Sequence, residues 1–309
     1  MGCMPRDGIR EYADRRDWSG YNEKLVRRGE IYLSLDFLDN WDEGLERMNE
    51  GKRGRPYEFP PAFIQFTGIL HILFLPYRQI EGFLRKLSQF VPQLRVADYT
   101  TIFKRLSGTE MSLKDTIRPS DESIVIAIDS SGIKVTNRGE WMREKWRRHR
   151  GWIKVHIAVN IETKEIVSIV ITDDRTADHR VFRDLIEQAE ENLGEGRIRK
   201  VLADGAYDTR EAFNILEERG MEAGIKMRRN ASTRSRCSPY RARCVRERNR
   251  IGEDAWKEQN GYGKRWMCET GFSSVKGIMG EHVVSVKRES MFKEAYLKFL
   301  FYNMLLNLQ

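Results

Sequence analysis

Cysteine is scarce in this chain: Cys3, Cys237, Cys244 and Cys268 are the only four in 309 residues. None stands in a CxxC pair, which excludes a disulfide framework and makes reduced thiols the expectation. Cys237 and Cys244 with a distant histidine are the one combination left open to zinc. Long apolar runs are missing as well. The longest, Phe63 to Leu75 and Phe299 to Leu308, are broken by Gln65, Thr67, His71 and Asn303 and fall short of the roughly 20 residues a membrane helix needs. Met1 to Arg16 is charged throughout and has no apolar centre, so no secretory signal is expected and the chain reads as cytoplasmic. Internal repeats and low-complexity tracts are absent too.

What the chain has is charge. Asp, Glu, Lys and Arg make up 32% of it, and 54 Lys plus Arg against 46 Asp plus Glu leave a net +8. A surplus of that sign points to a polyanionic partner, and it is concentrated in three places. From Lys226 to Arg250 ten Lys or Arg face a single acid, Glu247. Such a stretch cannot bury itself and is expected to form an arm over nucleic acid, Arg228 and Arg229 included; a solvated loop is the alternative. From Arg138 to Lys154, Trp141, Trp146 and Trp152 are interleaved with Arg143, Lys145, Arg147, Arg148 and Arg150. That mixture suits stacking on unpaired bases, or else tryptophans packed on a sheet. Arg53-Gly54-Arg55-Pro56 resembles a minor-groove hook, with a basic linker as the alternative.

The length suits one large domain or two ordinary ones of roughly 100–200 residues. In the mostly polar first 55 residues, Ile31 to Leu38 is the apolar segment. Between Phe59 and Leu106 the apolar spacing is helical: a start at Pro60-Pro61, a break at Pro76, then Ile80, Phe83, Leu84 and Leu87. Asp98 is placed to cap a third helix with Ile102, Phe103 and Leu106 on one face. Three short helices suit a helix-turn-helix-like module with Lys104 and Arg105 toward DNA, or a plain helical bundle.

Near residue 120 the pattern changes. Ile124 to Ile128 reads as a buried strand ending in Asp129. Ile153, Val155, Ile157, Val159 and Ile161 alternate, and with Ile166 to Thr172 they predict a hairpin. Asp178 is expected to cap a helix carrying Val181, Phe182, Leu185, Ile186, Ala189 and Leu193, and His179 to pack at its start or lie near the site. Val201 to Ala203 is a second buried strand, ending in Asp204, followed by a helix from Thr209 to Arg219 and a short strand at Gly224-Ile225. This order predicts an α/β core with a mixed sheet.

If the strands of Asp129 and Asp204 are neighbours, two carboxylates meet at one sheet edge, where ligands bind in open α/β folds. Two such charges call for a proton or a cation, and a hard divalent metal is the natural partner. Downstream, Tyr262, Arg265, Glu269 and Lys276 are spaced by three, four and seven residues, one stripe on a helix. A solvated charged face is the plainer reading, but Trp266, Met267 and Phe272 make the segment too apolar for it. Gly271 and Gly277 lower its helix propensity, a cost tolerated where backbone approaches a ligand closely.

Tyr-x2-Arg-x3-Glu-x6-Lys, carried here by Tyr262, Arg265, Glu269 and Lys276, resembles the signature around the catalytic glutamate of DDE transposases from prokaryotic insertion sequences. Asp129 in Ile-Ala-Ile-Asp-Ser-Ser and Asp204 in Leu-Ala-Asp-Gly-Ala-Tyr-Asp are similar to the two catalytic aspartates of that family. The likeness spans about residues 120–309, and more loosely Tyr77 to Gly82 and Asp98 to Thr101.

The resemblance implies a ribonuclease H-like fold, with an N-terminal helical, DNA-end-binding region over 1–120 and a catalytic domain over 121–309 holding a basic insertion at about 226–262. It implies two Mg²⁺ or Mn²⁺ ions held by Asp129, Asp204 and Glu269, and phosphates clamped by Arg265 and Lys276 with Tyr262 positioning the backbone. It further implies cleavage at transposon ends followed by strand transfer of the 3′-OH into target DNA, with the chain bound to terminal repeats as a dimer or higher oligomer and associated with the nucleoid. The interval between Asp204 and Glu269 leaves no room for the large β-rich insertion of longer members. A nuclease on the same fold without strand transfer, and a DNA-binding protein without catalysis, are the alternatives.

Overall fold

The alternating apolar residues of Ile153 to Ile161 are met by a hairpin. The structure, a computed structural model, describes residues 17–73, 75–108, 111–135 and 152–307. In it β2 (Trp152–Asn160) pairs antiparallel with β3 (Ile166–Asp173) and with β1 (Ile124–Lys134). β4 (Ile198–Ala203) lies parallel to β1, and β5 (Glu222–Ile225) parallel to β4. The sheet order is β3-β2-β1-β4-β5, the mixed sheet that the order of strands and helices predicts.

One difference bears on the site. β1 does not end at Asp129; it runs on to Lys134 along β2. Its parallel partner stops at the Ile128–Ala203 pair, so from Asp129 onward β1 has one neighbour and its other edge is open. Asp129 and Asp204 are the residues just beyond that last pair. Farther out, the main chain of Lys134 takes up Glu281 and Val283 at distances of 2.9 Å.

Each face of the sheet carries its own apolar layer. The residues at 153, 155, 157, 159 and 161 face α10 (Met267–Met279) and α11 (Arg288–Asn307), meeting Cys268, Phe272, Val275 and Phe299. The other face packs Ile126, Ile128, Ala158 and Val201 on α6 (Phe182–Leu193) and α7 (Arg210–Glu218). Thr209 caps α7, its hydroxyl accepting from the Ala212 amide at 3.1 Å.

The N-terminal segment forms a third cluster from α2 (Trp41–Asn49), α3 (Pro61–Leu73), α4 (Tyr77–Leu87) and α5 (Tyr99–Gly108). α1 (Trp18–Glu30) and α2, in the polar stretch, were not foreseen, and Ile31 to Leu38 holds two 3₁₀ turns. α3 is apolar around its circumference because it serves two cores: Phe63, Ile64 and Leu70 face the helical cluster, Ile69 and Ile72 the sheet layer. Gly68 permits this, since a Cβ there would meet Leu106 at 2.9 Å and Phe301 at 3.0 Å.

Side chains meet several outer backbone groups of the edge strands. Asn303 bonds both the N–H and the C=O of Ile166 at 2.8 Å, Gln188 accepts from the Ile169 amide, and Asn192 donates to the Val167 carbonyl. On β5 the Tyr240 hydroxyl accepts from the Ala223 amide at 2.8 Å and donates to the Met221 carbonyl at 3.3 Å. Among the described residues no helix is long and apolar enough to cross a membrane.

Candidate active site

The open edge of β1 is where the chemistry-bearing side chains gather. Asp129 is largely buried, and its Oδ1 accepts from the Ser130 amide at 2.8 Å. Its Oδ2 accepts from Arg265 Nη1 at 2.7 Å, while Arg265 Nη2 donates to Glu269 Oε1 at 3.0 Å. One guanidinium thus bridges carboxylates from a strand and a helix. Burial pushes the Asp129 carboxyl above its ordinary range; the Ser130 amide and the Arg265 charge oppose that shift, and the charge of Asp204 adds to it.

Glu269 is set by α10. Next to it the Cys268 thiol, fully buried, donates to the Ala127 carbonyl at 3.0 Å and pins the helix to β1. Burial, and then the nearby Asp129 charge, raise that thiol well above its usual value, so it stays protonated and able to donate. Asp204 caps the 3₁₀ turn Gly205–Tyr207, its Oδ1 accepting from the Ala206 amide at 2.9 Å. This carboxylate thus caps a turn at the same sheet edge that carries Asp129.

Lys276 donates to the Ser131 hydroxyl at 2.8 Å, and burial lowers its pKa. Asp129, Ser131, Glu269, Phe272, Lys276 and Glu281 line an open cavity of about 500 Å³. Among the described residues no three His, Cys, Asp or Glu side chains close on one point as ion ligands. The space between Asp129 and Glu269 is taken by Arg265.

The stripe of Tyr262, Arg265, Glu269 and Lys276 is not one α-helix. Gly261, at φ +59°, starts a 3₁₀ turn from Tyr262 to Trp266 that runs into α10. Residues three apart eclipse in a 3₁₀ turn, so Tyr262 and Arg265 still align. Tyr262 is half-buried against Trp256, ring centroids 5.7 Å apart, and burial raises its pKa. The two glycines of α10 differ: Gly271 packs on Val159 and Ile157 of the sheet, whereas Gly277 lines the cavity, with open space where a Cβ would stand.

Several expectations need correction. Asp178 does not cap α6; it lies 2.7 Å from Lys154 Nζ and 3.3 Å from His156 Nδ1. Burial would raise its pKa, but His156, Lys154 and Ser130 outweigh that and hold it well below the carboxylate range. His179 is exposed, and the histidine beneath the site is His156, fully buried, with Nε2 3.0 Å from the Thr172 hydroxyl. A polar residue inside the run Ile153 to Ile161 was the signal for it. Ser131, two residues from Asp129 on one strand and therefore on one face, was equally readable.

The basic stretch buries part of itself. It contains α8 (Pro239–Ile251), followed by α9 (Glu253–Gln259); in α8 Arg241 grips the buried Asp208 at 2.7 and 2.9 Å and Arg248 lies 93% buried near the carbonyls of Met227 and Arg228. Arg228 and Arg229 are exposed, in the loop after β5. Arg105 does not face solvent freely but lies over the Tyr57 ring, 4.0 Å from its centroid. Phe103 is 40% exposed. Trp152 combines both readings of the tryptophans, seated on Gly132 yet 40% exposed. Arg53 to Pro56 lies in an exposed loop with Arg55 paired to Glu58. Cys237 is exposed, and the half-buried Cys244 thiol is pushed up to about 11 by burial. Arg147 and Arg148, like Trp141 and Trp146, lie outside the described residues.

Known proteins offer a comparison for this arrangement. A family model described as "Transposase DDE domain" matches residues 120–304, and a second with the same description matches 26–138. Among solved structures, a piggyBac transposase synaptic complex with hairpin DNA aligns over 91% of this chain and 73% of its own, at 10% identity and a TM-score of 0.40. A simian T-cell lymphotropic virus intasome aligns over 62% and 65%, at 12% identity and a TM-score of 0.26. A Drosophila P element transposase strand transfer complex aligns over 62% and 43%, at 12% identity and a TM-score of 0.28. The chain spans less than two thirds of the length of the latter two. These are distant likenesses.

Proposed function

The chain belongs to the transposase DDE domain family, and from that premise we propose that it cuts DNA at the ends of a mobile element and joins the freed 3′-OH to target DNA. Membership implies phosphoryl transfer on DNA and the use of divalent ions; the sequence of steps and the residue roles below are our reading. The observation that carries it is the Arg265 guanidinium spanning Asp129 and Glu269 at the open edge of β1, two carboxylates that both line the wall of a cavity.

The donor set suits the ions. Three carboxylates supply the oxygen ligands that Mg²⁺ or Mn²⁺ takes, and burial together with the charge of Asp204 raises the Asp129 carboxyl, a shift that a cation would oppose. Asp129, Asp204 and Glu269 would hold two such ions, which when bound activate the attacking oxygen and stabilise the leaving 3′ oxygen.

The chain's own cations do the rest. Arg265 has a planar fork that matches phosphate as well as carboxylate, so an incoming DNA phosphate competes for it and frees the two carboxylates. Lys276, held over Ser131, supplies a second positive charge on the same wall. Tyr262 orients the DNA backbone through its hydroxyl. In the first displacement water adds to phosphorus and the P–O3′ bond breaks, leaving a 3′-OH; in the second that 3′-OH adds to a target phosphodiester and expels its 3′ oxygen. Arg228 and Arg229 extend the phosphate contacts, the region over 1–120 binds the element ends, and two or more copies hold paired ends.

The test is joining of labelled element-end DNA to a supercoiled plasmid in Mg²⁺ or Mn²⁺, with Glu269→Ala alongside. Joined product from wild type alone is the expected result. Cutting without joining would favour a nuclease, and specific binding with neither reaction a non-catalytic DNA-binding protein. Light scattering on paired ends is expected to give at least a dimer.

A further inference from the structure

The helix that carries Glu269 has a second flank that the reaction as drawn leaves unused. Glu269, Ser273 and Gly277 line the cavity beside Asp129. Thr270, Ser274 and Ile278, each one residue on and so about 100° around α10, line another of about 540 Å³. Residues of α1, of the end of α11 and of the turn between β2 and β3 complete it. Its size falls among small-molecule sites, roughly 300–1,000 Å³, and exceeds what a bare phosphate fills.

Two kinds of residue make its wall. Arg28, Arg118 and Lys164 supply three cations against two acids, Glu162 and Glu165. Glu165 is buried and both its oxygens are taken, one by the Arg118 amide at 3.1 Å and the other by the Thr163 hydroxyl at 2.8 Å. Arg118 Nη2 is anchored to the Leu306 carbonyl at 3.0 Å. Tyr21, Leu25 and Ile278 are exposed apolar side chains of the same wall, and Trp18 braces the Tyr21 ring edge-on, centroids 5.6 Å apart. Two lining residues also carry a buried polar atom without a hydrogen-bond partner: Arg28 Nε, a donor, and Asn307 Oδ1, an acceptor. Unanswered groups of this kind are costly. A ligand that suits this wall is anionic, has an aromatic body, and offers both an acceptor and a donor.

We propose that this cavity is a nucleotide site, its cations taking the phosphate and Tyr21, Leu25 and Ile278 the base. The nucleotide is either free or one unit of a DNA strand that passes over α10. The proposal goes beyond the reaction drawn above and does not depend on which residues hold ions.

The test is isothermal titration calorimetry of the full chain without divalent ions. Deoxyadenosine monophosphate, inorganic phosphate and a single-stranded hexanucleotide are the probes. Arg28→Ala and Lys164→Asn attack the cavity, asparagine being chosen because Lys164 stands at φ +66°. Arg265→Gln combined with Lys276→Gln attacks its neighbour instead. Each of the first two variants is expected to weaken nucleotide binding about tenfold or more with its unfolding midpoint unchanged, and the combined variant to bind the mononucleotide like wild type. Binding of the mononucleotide identifies a free nucleotide as the source; binding of the hexanucleotide alone identifies a strand. Undiminished binding in Arg28→Ala and Lys164→Asn overturns the proposal, as does wild type that binds neither nucleotide probe. So does inorganic phosphate that binds as tightly as the mononucleotide, since the base would then contribute nothing, or a loss confined to a variant that unfolds early.

Discussion

Asp208 shows how a single residue can order a region that composition alone describes as a charged arm. Its carboxylate, fully enclosed, receives two hydrogen bonds from Arg241 and one from the Arg228 amide at 3.0 Å. Removing one partner of a buried pair strands the other, at a cost of about 3–5 kcal/mol. Asp208→Ala is expected to lower the urea unfolding midpoint accordingly, and Asp208→Leu combined with Arg241→Met to recover much of the loss, since apolar replacements of similar volume remove both charges. An unchanged midpoint in the single variant would contradict this. The site was legible at this scale wherever spacing along the chain encodes proximity: Arg265 and Glu269 are four apart, and Asp129 and Asp204 each follow an apolar strand. Asp208 with Arg241, Lys276 with Ser131, and Asp178 with Lys154 and His156 were not. Each pair joins residues far apart in sequence, and no periodicity links them.

At the scale of elements, α5 depends on its first residues. Asp98 Oδ1 accepts from the amides of Thr100 and Thr101 at 2.9 and 3.0 Å, and the hydroxyls of both threonines donate to the same carboxylate. Those hydroxyls, then the amides, hold the Asp98 carboxyl well below its ordinary range. A group lowered on folding stabilises the fold fully above its unfolded pKa, near pH 4, and loses that contribution as pH falls through the folded value. Asp98→Ala should therefore cost about 1 kcal/mol at neutral pH, shrinking as acid protonates the wild-type cap; a loss that persists undiminished in strong acid would refute it. This cap was readable, as were α3 to α5 and the hairpin, because caps, prolines and periodicity are local. The 3₁₀ turn ahead of α10 was not, since residues three apart satisfy both helix types, and neither was the continuation of β1, which depends on where β4 stops.

For the whole molecule, the net +8 matters through the fraction of it that remains free. Arg241 and Arg248 are spent on internal partners, whereas Arg228 and Arg229 are exposed. Changing both of the latter to glutamine is expected to flatten the plot of log affinity for DNA against log salt by about two in slope, about one per phosphate contact, with no change in unfolding midpoint. An unaltered slope would remove them from the interface. The charge surplus was plain in the sequence, but its division into internal and free cations needed the packing of α8. The bonded groups of the edge strands have a consequence for how copies meet. A sheet grows by adding strands only where backbone groups are free, and here the amides of Asn303, Gln188 and Asn192 and the phenol of Tyr240 already answer several of them. At those positions a second copy finds no free backbone to pair with, so copies are expected to meet through helical surfaces or through the duplex that both grip. Digesting the nucleic acid tells the two apart, since only an assembly held by the duplex comes apart.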